Sequence, residues 1–226
     1  MRHISKVFII CLILIYSAYL PLDGNNTTNG INIEAVKRDP TFNKSMNGFM
    51  LNMTPLQMEY FLNYLPYTSY LLNEYGIHTL RISFIGSNKF HAEDDSGLEG
   101  TFDLINEEKW YREYTGKGWI KSGVISTISA DVVASISFQE ASQGQIVNDL
   151  EFWVKVDSVI LDFLCKLFRP ILLQILTKKF DHFVQVIQSF VIRVQEDPKK
   201  AAQILRQKNV NEIEVDEFMK VFSEHK

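Results

Sequence analysis

Cysteine is almost absent from this sequence, with only Cys11 and Cys165 in 226 residues. No disulfide framework can therefore support the fold, and Cys165, alone inside an apolar run, reads as a small core residue. Histidine is sparse as well: His3, His78, His91, His182 and His225 show no zinc-type spacing with cysteine. His78 and His91 read as lying near opposite ends of one strand region, too far apart in an extended chain to share a metal. The sequence has no Gly-x-Ser-x-Gly nucleophile elbow, no Walker loop and no dinucleotide glycine fingerprint. Neither a metal nor a cofactor is expected. Positive charge is also short. The formal net charge of −4 leaves no basic face for a phosphate backbone, so nucleic acid is not an expected partner.

Apolar residues are plentiful. An apolar fraction of 46% and a charged fraction of 22% are those of an ordinary globular chain, long enough for one domain with a sizeable core. Near the N-terminus, Arg2, His3 and Lys6 precede an apolar run from Val7 to Leu20 that only Ser17 interrupts. The run fits a secretory h-region and is shorter than the roughly 20 residues that span a bilayer. Residues 1–22 are read as a signal peptide or a membrane anchor. Tyr16 and Tyr19 spoil the small-residue cleavage pattern and keep the anchor open. The protein is expected to be exported (secreted, periplasmic or in the secretory pathway), and tethered if the segment is retained. Asn25, Asn26, Asn43 and Asn52 head Asn-x-Ser/Thr sequons, which matter only in a eukaryotic secretory pathway. Residues 23–45, rich in Asn, Thr and Gly with an Asp39-Pro40 turn, read as a flexible linker.

The domain proper is read as residues 46–206. Phe49, Leu51 and Met53 alternate in a first strand from Met46 to Met53. Thr54-Pro55-Leu56-Gln57 then supplies a hydroxyl N-cap, proline in the first turn and glutamine at the third position, the parts of a capping box. The helix that follows buries Met58, Phe61, Leu62 and Leu65 and breaks near Pro66. A second short helix runs from Tyr67 to Tyr75 and stops at Gly76. Tyr60, Tyr64, Tyr67, Tyr70 and Tyr75 read as an amphipathic rim, rings packed and hydroxyls wet.

From Ile77 to Val156 the apolar period becomes two. Leu80, Ile82 and Phe84 alternate with Thr79, Arg81 and Ser83, and Phe102 and Leu104 with Thr101, Asp103 and Ile105. Trp110 to Tyr114 reads as the next strand, closed by Gly116 and Gly118. Val132, Ala134, Ile136 and Phe138 alternate with Val133, Ser135 and Ser137, and Leu150, Phe152, Val154 and Val156 with Asp149, Glu151, Trp153 and Lys155. Gly97, Gly100, Gly116, Gly118, Gly123 and Gly144 are taken as turn or interruption signals. The pattern predicts an antiparallel meander of about six strands with one apolar face.

A second long apolar run extends from Val159 to Val194. Asp162, Lys166 and Arg169 line one face of a helix, whereas Gln174, Lys178, Asp181, Gln185 and Gln188 line another, rotated by roughly 110°. One straight helix would expose apolar side chains in any orientation. The spacing therefore predicts a short helix over Ser158–Phe168 and a long one from Pro170 to Gln195, ended by Asp197-Pro198. A short helix near Lys199–Arg206 and an amphipathic tail, residues 207–226, close the chain.

Few residues suggest chemistry. Arg112 shares parity with Trp110 and Tyr114; turned inward, it could grip a carboxylate or phosphate, and turned outward it lies on the wet face. Glu93, Asp94, Asp95 and Glu99 form an acidic turn without the register of an EF-hand loop. Trp119 and Trp153 fit packing or ligand contact equally well.

A strand, two short helices opened by Thr54-Pro55, the Asp95-Ser96-Gly97 hairpin among antiparallel strands, and a long helix opened by Pro170 and closed before Asp197-Pro198 make a specific order. It resembles the START-like superfamily, the helix-grip fold of lipid-transfer domains, polyketide cyclases and pollen-allergen-like proteins. The implied class is α+β, a curved antiparallel sheet of about six to seven strands gripping a long C-terminal helix. The resemblance also implies a cavity in which Phe180, Phe183, Ile187 and Phe190 face Phe84, Phe102, Phe138 and Phe152, with Arg112 added if it points inward. The function expected is non-enzymatic binding or transfer of a lipid or other hydrophobic small molecule. Two alternatives are a cyclase or hydrolase using Arg112 with a tyrosine or His91, and a membrane-tethered interaction module using its tail or tyrosine-rich helices at a membrane surface.

Overall fold

A computed structural model describes residues 30–95, 97–120 and 128–223. Residues 1–22, expected to be a signal peptide or anchor, the sequons at Asn25 and Asn26, Gly123 and Ser96 lie outside the described residues. The first described element falls in the stretch expected to be a linker. Asn32 caps a short helix, α1 (Ile33–Arg38), by accepting a hydrogen bond from the Ala35 amide at 3.0 Å. Strand β1 (Phe42–Leu51) begins four residues earlier than the alternation from Met46 suggests.

The capping box forms as its residues require. Thr54 Oγ1 accepts from the Gln57 amide at 3.3 Å, and Gln57 Oε1 accepts from the Thr54 amide at 3.0 Å. Helix α2 (Pro55–Asn63) follows, and after a break at Tyr64 α3 (Leu65–Glu74) carries Pro66 in its first turn. Strands β2 (Leu80–Gly86), β3 (Lys89–Asp94), β4 (Leu98–Glu108), β5 (Tyr111–Ile120), β6 (Ile128–Ser142) and β7 (Gln145–Val156) then form an antiparallel sheet in the order β1-β7-β6-β5-β4-β3-β2. The fold is α+β with a seven-stranded sheet, of the helix-grip kind.

Three details differ from the sequence reading. His78 and His91 do not share a strand region: Ser87-Asn88 turns the chain, and His91 pairs with Ser83 across the hairpin. Gly116 and Gly118 do not close a strand but lie inside β5, paired with Phe102 and Gly100. Trp110 is not in β5. It occupies the turn before it with φ +65°, a left-handed conformation uncommon for a side-chain-bearing residue, and its carbonyl accepts the Phe138 amide at 3.0 Å.

The apolar run breaks where its polar faces fall out of phase. Helix α4 (Val159–Leu167) is capped by Ser158, and α5 (Arg169–Glu196) carries Pro170 in its first turn. Twenty-eight residues make α5 about 42 Å long. Both of its ends are fastened to β1 and the turn after it: Arg169 Nη2 donates to Asn43 Oδ1 at 2.5 Å, and Gln195 Nε2 donates to the Asn52 carbonyl at 2.7 Å.

Helices α6 (Pro198–Gln207) and α7 (Glu212–Ser223) complete the described chain. The segment read as a tail is a core element, with Val215, Phe218 and Phe222 buried against Tyr60, Phe61, Leu71, Leu205 and the C-terminal turns of α5. The tyrosines read as a wet rim are what hold it. Tyr60 Oη donates to the Glu214 carbonyl at 3.1 Å, Tyr64 Oη to Glu217 at 2.8 Å, and Tyr67 Oη to the Glu214 carboxylate. Burial, with Glu217 beside it, pushes the Tyr64 phenol up to about 12. Burial first, and then the neighbouring acidic groups, raise Tyr60 and Tyr67 further. The fully packed core, with Leu51, Phe138, Ile146, Phe190, Val191 and Val194, thus sits at one end of the sheet. No helix of the described residues is long and apolar enough to cross a membrane.

Candidate functional site

Strand register decides which side chains share the sheet face that α5 covers. One ladder crosses all seven strands: Phe42, Val154, Val132, Gly116, Phe102, Phe90 and Phe84. The next ladder toward α4 is Val156, Ala130, Gly118, Gly100, Ala92 and Ile82, so four consecutive strands, β3 to β6, present only alanine or glycine there. On the other side run Phe152, Ala134, Tyr114 and Leu104, and then Leu150, Ile136 and Arg112. Neighbouring strand residues in register point to the same side. The five sheet candidates, Phe84, Phe102, Arg112, Phe138 and Phe152, therefore share one face.

That face is not uniformly closed. Phe138 and Phe190 are buried in the packed end, and Ile187 packs against it. Phe102 and Phe152 are half-buried, while Phe84 and Phe183 are exposed. Phe180 belongs to α5, but its side chain lies outside the described residues. The glycines lower the floor of the open part. A Cβ on Gly100 would stand 2.7 Å from Cε2 of Phe102, so the phenyl ring lies flat where side chains would otherwise rise. Phe90 stacks beside Phe102 with ring centroids 5.4 Å apart and meets Tyr114 edge-on at 5.7 Å.

Where this floor reaches the α2–α3 junction and the β2–β3 turn, a pocket of about 240 Å³ opens, lined by Leu62, Leu65, Phe84, Phe90, Leu104 and Tyr114, with Asn63, Glu107 and Arg112 as its polar wall. Arg112 is buried and inward-facing, which settles its parity. Its Nη1 donates to the carbonyls of Glu108 at 2.7 Å and Tyr111 at 3.0 Å; its Nη2 donates to Asn63 Oδ1 at 3.2 Å and pairs with Glu107 at 2.8 Å. The guanidinium thus ties α2 to the β4–β5 turn, and its charge is already met by Glu107. An anionic ligand would have to displace that carboxylate. A hydroxyl or carbonyl would not, since Asn63 and Glu107 border the same space. Burial pushes the Tyr114 phenol up to about 12, so it remains protonated at neutral pH and is able to donate.

The other sheet face carries the remaining polar candidates. His91, Glu93 and Glu99 place one ligand atom each within 4.8 Å of one another and could hold a divalent ion. His91 Nε2 lies 3.6 Å from Glu99, and Arg81 bonds Glu93 at 2.7 Å. Because His91 alternates with the inward Phe90, it does not reach the pocket, and an acid–base pairing of His91 with Arg112 is not formed. Trp119 lies beside His91, ring centroids 6.3 Å apart. Trp153 lies under Lys37 of α1, whose Nζ is 5.0 Å from its ring centre. Both tryptophans are thus on the far side from α5. Lys37 also pairs with Glu113, and Val36 is buried on this face, which explains why α1 is ordered rather than a linker.

Sequence reasoning missed Asn63, Glu107, Gly100, Gly118, Ala92 and Ala130. Alternation alone puts Gly118 on the same face as Arg112, but the ladder that joins Ala92, Gly100, Gly118 and Ala130 depends on cross-strand register.

No protein-family model matches the sequence, and no curated protein matches it. Solved structures do. A conserved protein from Geobacillus kaustophilus superposes with a TM-score of 0.51 at 10% identity, over 68% of this chain and 97% of that one. Norcoclaurine synthase from Thalictrum flavum gives a TM-score of 0.43 at 11% identity over 78% of this chain and 99% of that one. It has also been solved with dopamine and hydroxybenzaldehyde. At such identities the first likeness speaks for the fold alone.

Proposed function

We propose that this protein binds a hydrophobic small molecule, such as a lipid, in the groove between α5 and the sheet, and carries or presents it without chemical change. The observation behind this reading is the floor of the groove. Four strands in a row place Ala92, Gly100, Gly118 and Ala130 on the face where a closed core would need bulky side chains. Phe102 and Phe152 on the same face are only half-buried and Phe183 of α5 is exposed, leaving apolar surface that a bound apolar molecule would remove from water. The neutral Arg112–Glu107–Asn63 wall suits a ligand with one polar, uncharged end. The N-terminal run from Val7 to Leu20 supports a site of action in the exported compartment.

Displacement of a fluorescent fatty-acid analogue by candidate lipids would test the reading. Gly118→Val fills the floor at a position where an added Cβ meets only Glu99 and Val132 at 3.8 Å, so it should abolish binding while leaving thermal stability intact. Unchanged binding in that variant would refute the groove as the site.

A further inference from the structure

We propose that α4 is a docking ridge for an anionic lipid surface. The four exposed residues of this helix are all apolar: Val159 (82% exposed), Ile160 (53%), Phe163 (64%) and Leu167 (61%). They fall within about 100° of one another around the helix axis, and Ile171 in the first turn of α5, 45% exposed, extends the ridge. The two charged residues of α4 are spent within the protein. Asp162 receives hydrogen bonds from Thr41 and from Lys155 at 3.3 Å, and Lys166 pairs with Asp162 at 3.1 Å and with Asp39 at 2.7 Å. A helix that merely shields a core turns its charges to water. Here the charges fix the helix in place and hold its apolar side outward.

Charge selects the occupant. Beyond the Lys166 pairs with Asp39 and Asp162 that fix α4, the sequence from Arg169 to His182 holds three cations, Arg169, Lys178 and Lys179, against one anion, Asp181, in a chain of net charge −4. An apolar ridge with local basic excess matches an interface of acyl chains beneath anionic headgroups. The inference goes beyond the ligand reading and does not rest on it.

The test uses the full chain and bilayers of phosphatidylserine with brominated phosphatidylcholine. In the Phe163→Trp variant, the emission gained over wild type should be quenched by the brominated lipid. The paired change F163S/L167S, at two exposed positions that need not affect folding, should abolish protection of α4 amides by vesicles and weaken partitioning by about tenfold or more. Binding should fall with added salt and in vesicles lacking phosphatidylserine. Flotation with vesicles while the added tryptophan stays unquenched would overturn the proposal, because the N-terminal apolar run alone would then hold the protein. Failure to float, equal binding to neutral vesicles, or self-association in solution abolished by F163S/L167S would overturn it too.

Discussion

The ring of Phe102 lies directly over Gly116: a Cβ built on that glycine would stand 2.5 Å from Phe102 Cδ1 and 2.3 Å from the Thr101 carbonyl oxygen. The ring could turn aside, but the Thr101 carbonyl and the Phe102 Cα, 2.9 Å away, cannot yield without moving β4. Gly116→Ala is therefore expected to cost about 2–4 kcal/mol of stability, read as a lowered urea midpoint, although alanine suits a strand better than glycine does. A loss under about 0.5 kcal/mol would show that β4 and β5 are not so closely apposed.

Arg112 holds three elements together from a buried position. Arg112→Met keeps the bulk and removes every hydrogen bond, leaving the Glu108 and Tyr111 carbonyls without their donor. Glu107 is half-exposed and recovers water, so the expected cost is near the lower end for a broken charged pair, about 2 kcal/mol. Arg112→Lys should recover only part of it, since an ammonium cannot reproduce the fork. Full recovery by lysine in denaturant titrations would mean that charge, not geometry, matters there.

The C-terminal helix is a core element and should behave as one. Phe218 is fully buried and packs 4.6 Å from Phe222 and 5.5 Å from Tyr60, centroid to centroid. Phe218→Ala is expected to cost about 3–5 kcal/mol, and a chain stopped at Gln207 should not give a cooperative melt. A truncated chain that melts like the full one would contradict this packing.

The attachment of α4 should depend on acid. Hydrogen bonds from Lys155 and Lys166 hold the Asp39 carboxyl at about 2, below its ordinary 3.8. Burial works to raise Asp162, but hydrogen bonds from Thr41, Lys166 and Lys155 outweigh it and hold it low as well. A depressed carboxylate stabilises the folded arrangement above its ordinary value and loses that contribution as pH falls through the depressed one. Amide exchange in α4 should therefore be steady from neutral pH down to about 4, after correction for intrinsic rates, and accelerate selectively toward pH 2. Loss of protection near pH 6 would point to some other group.

Much of this architecture was legible in local patterns. Thr54-Pro55-Leu56-Gln57 announced α2 because a capping box is a contact between near neighbours. The phase slip between Asp162–Lys166–Arg169 and Gln174–Lys178–Asp181 announced the break before Pro170 for the same kind of reason. What stayed hidden depended on distant partners. Helix α1 shows only Ile33, Ala35 and Val36 as apolar positions and forms against a sheet whose central strands lie about a hundred residues later. The α7 helix looked like an appendage until Tyr60, Tyr64 and Tyr67 reached Glu214 and Glu217. At the site, alternation placed Phe102 and Arg112 on comparable faces, but only cross-strand register aligned Ala92, Gly100, Gly118 and Ala130 into one floor.

The most direct test of the ligand reading is native mass spectrometry of the full chain purified without detergent, followed by solvent extraction of whatever travels with it. The expected result is a mass excess from one apolar molecule bound at one copy per chain, absent from Gly118→Val under the same conditions. Wild-type protein at its bare mass, which also fails to take up any lipid from a mixed extract, would contradict the assignment of the groove as a binding site.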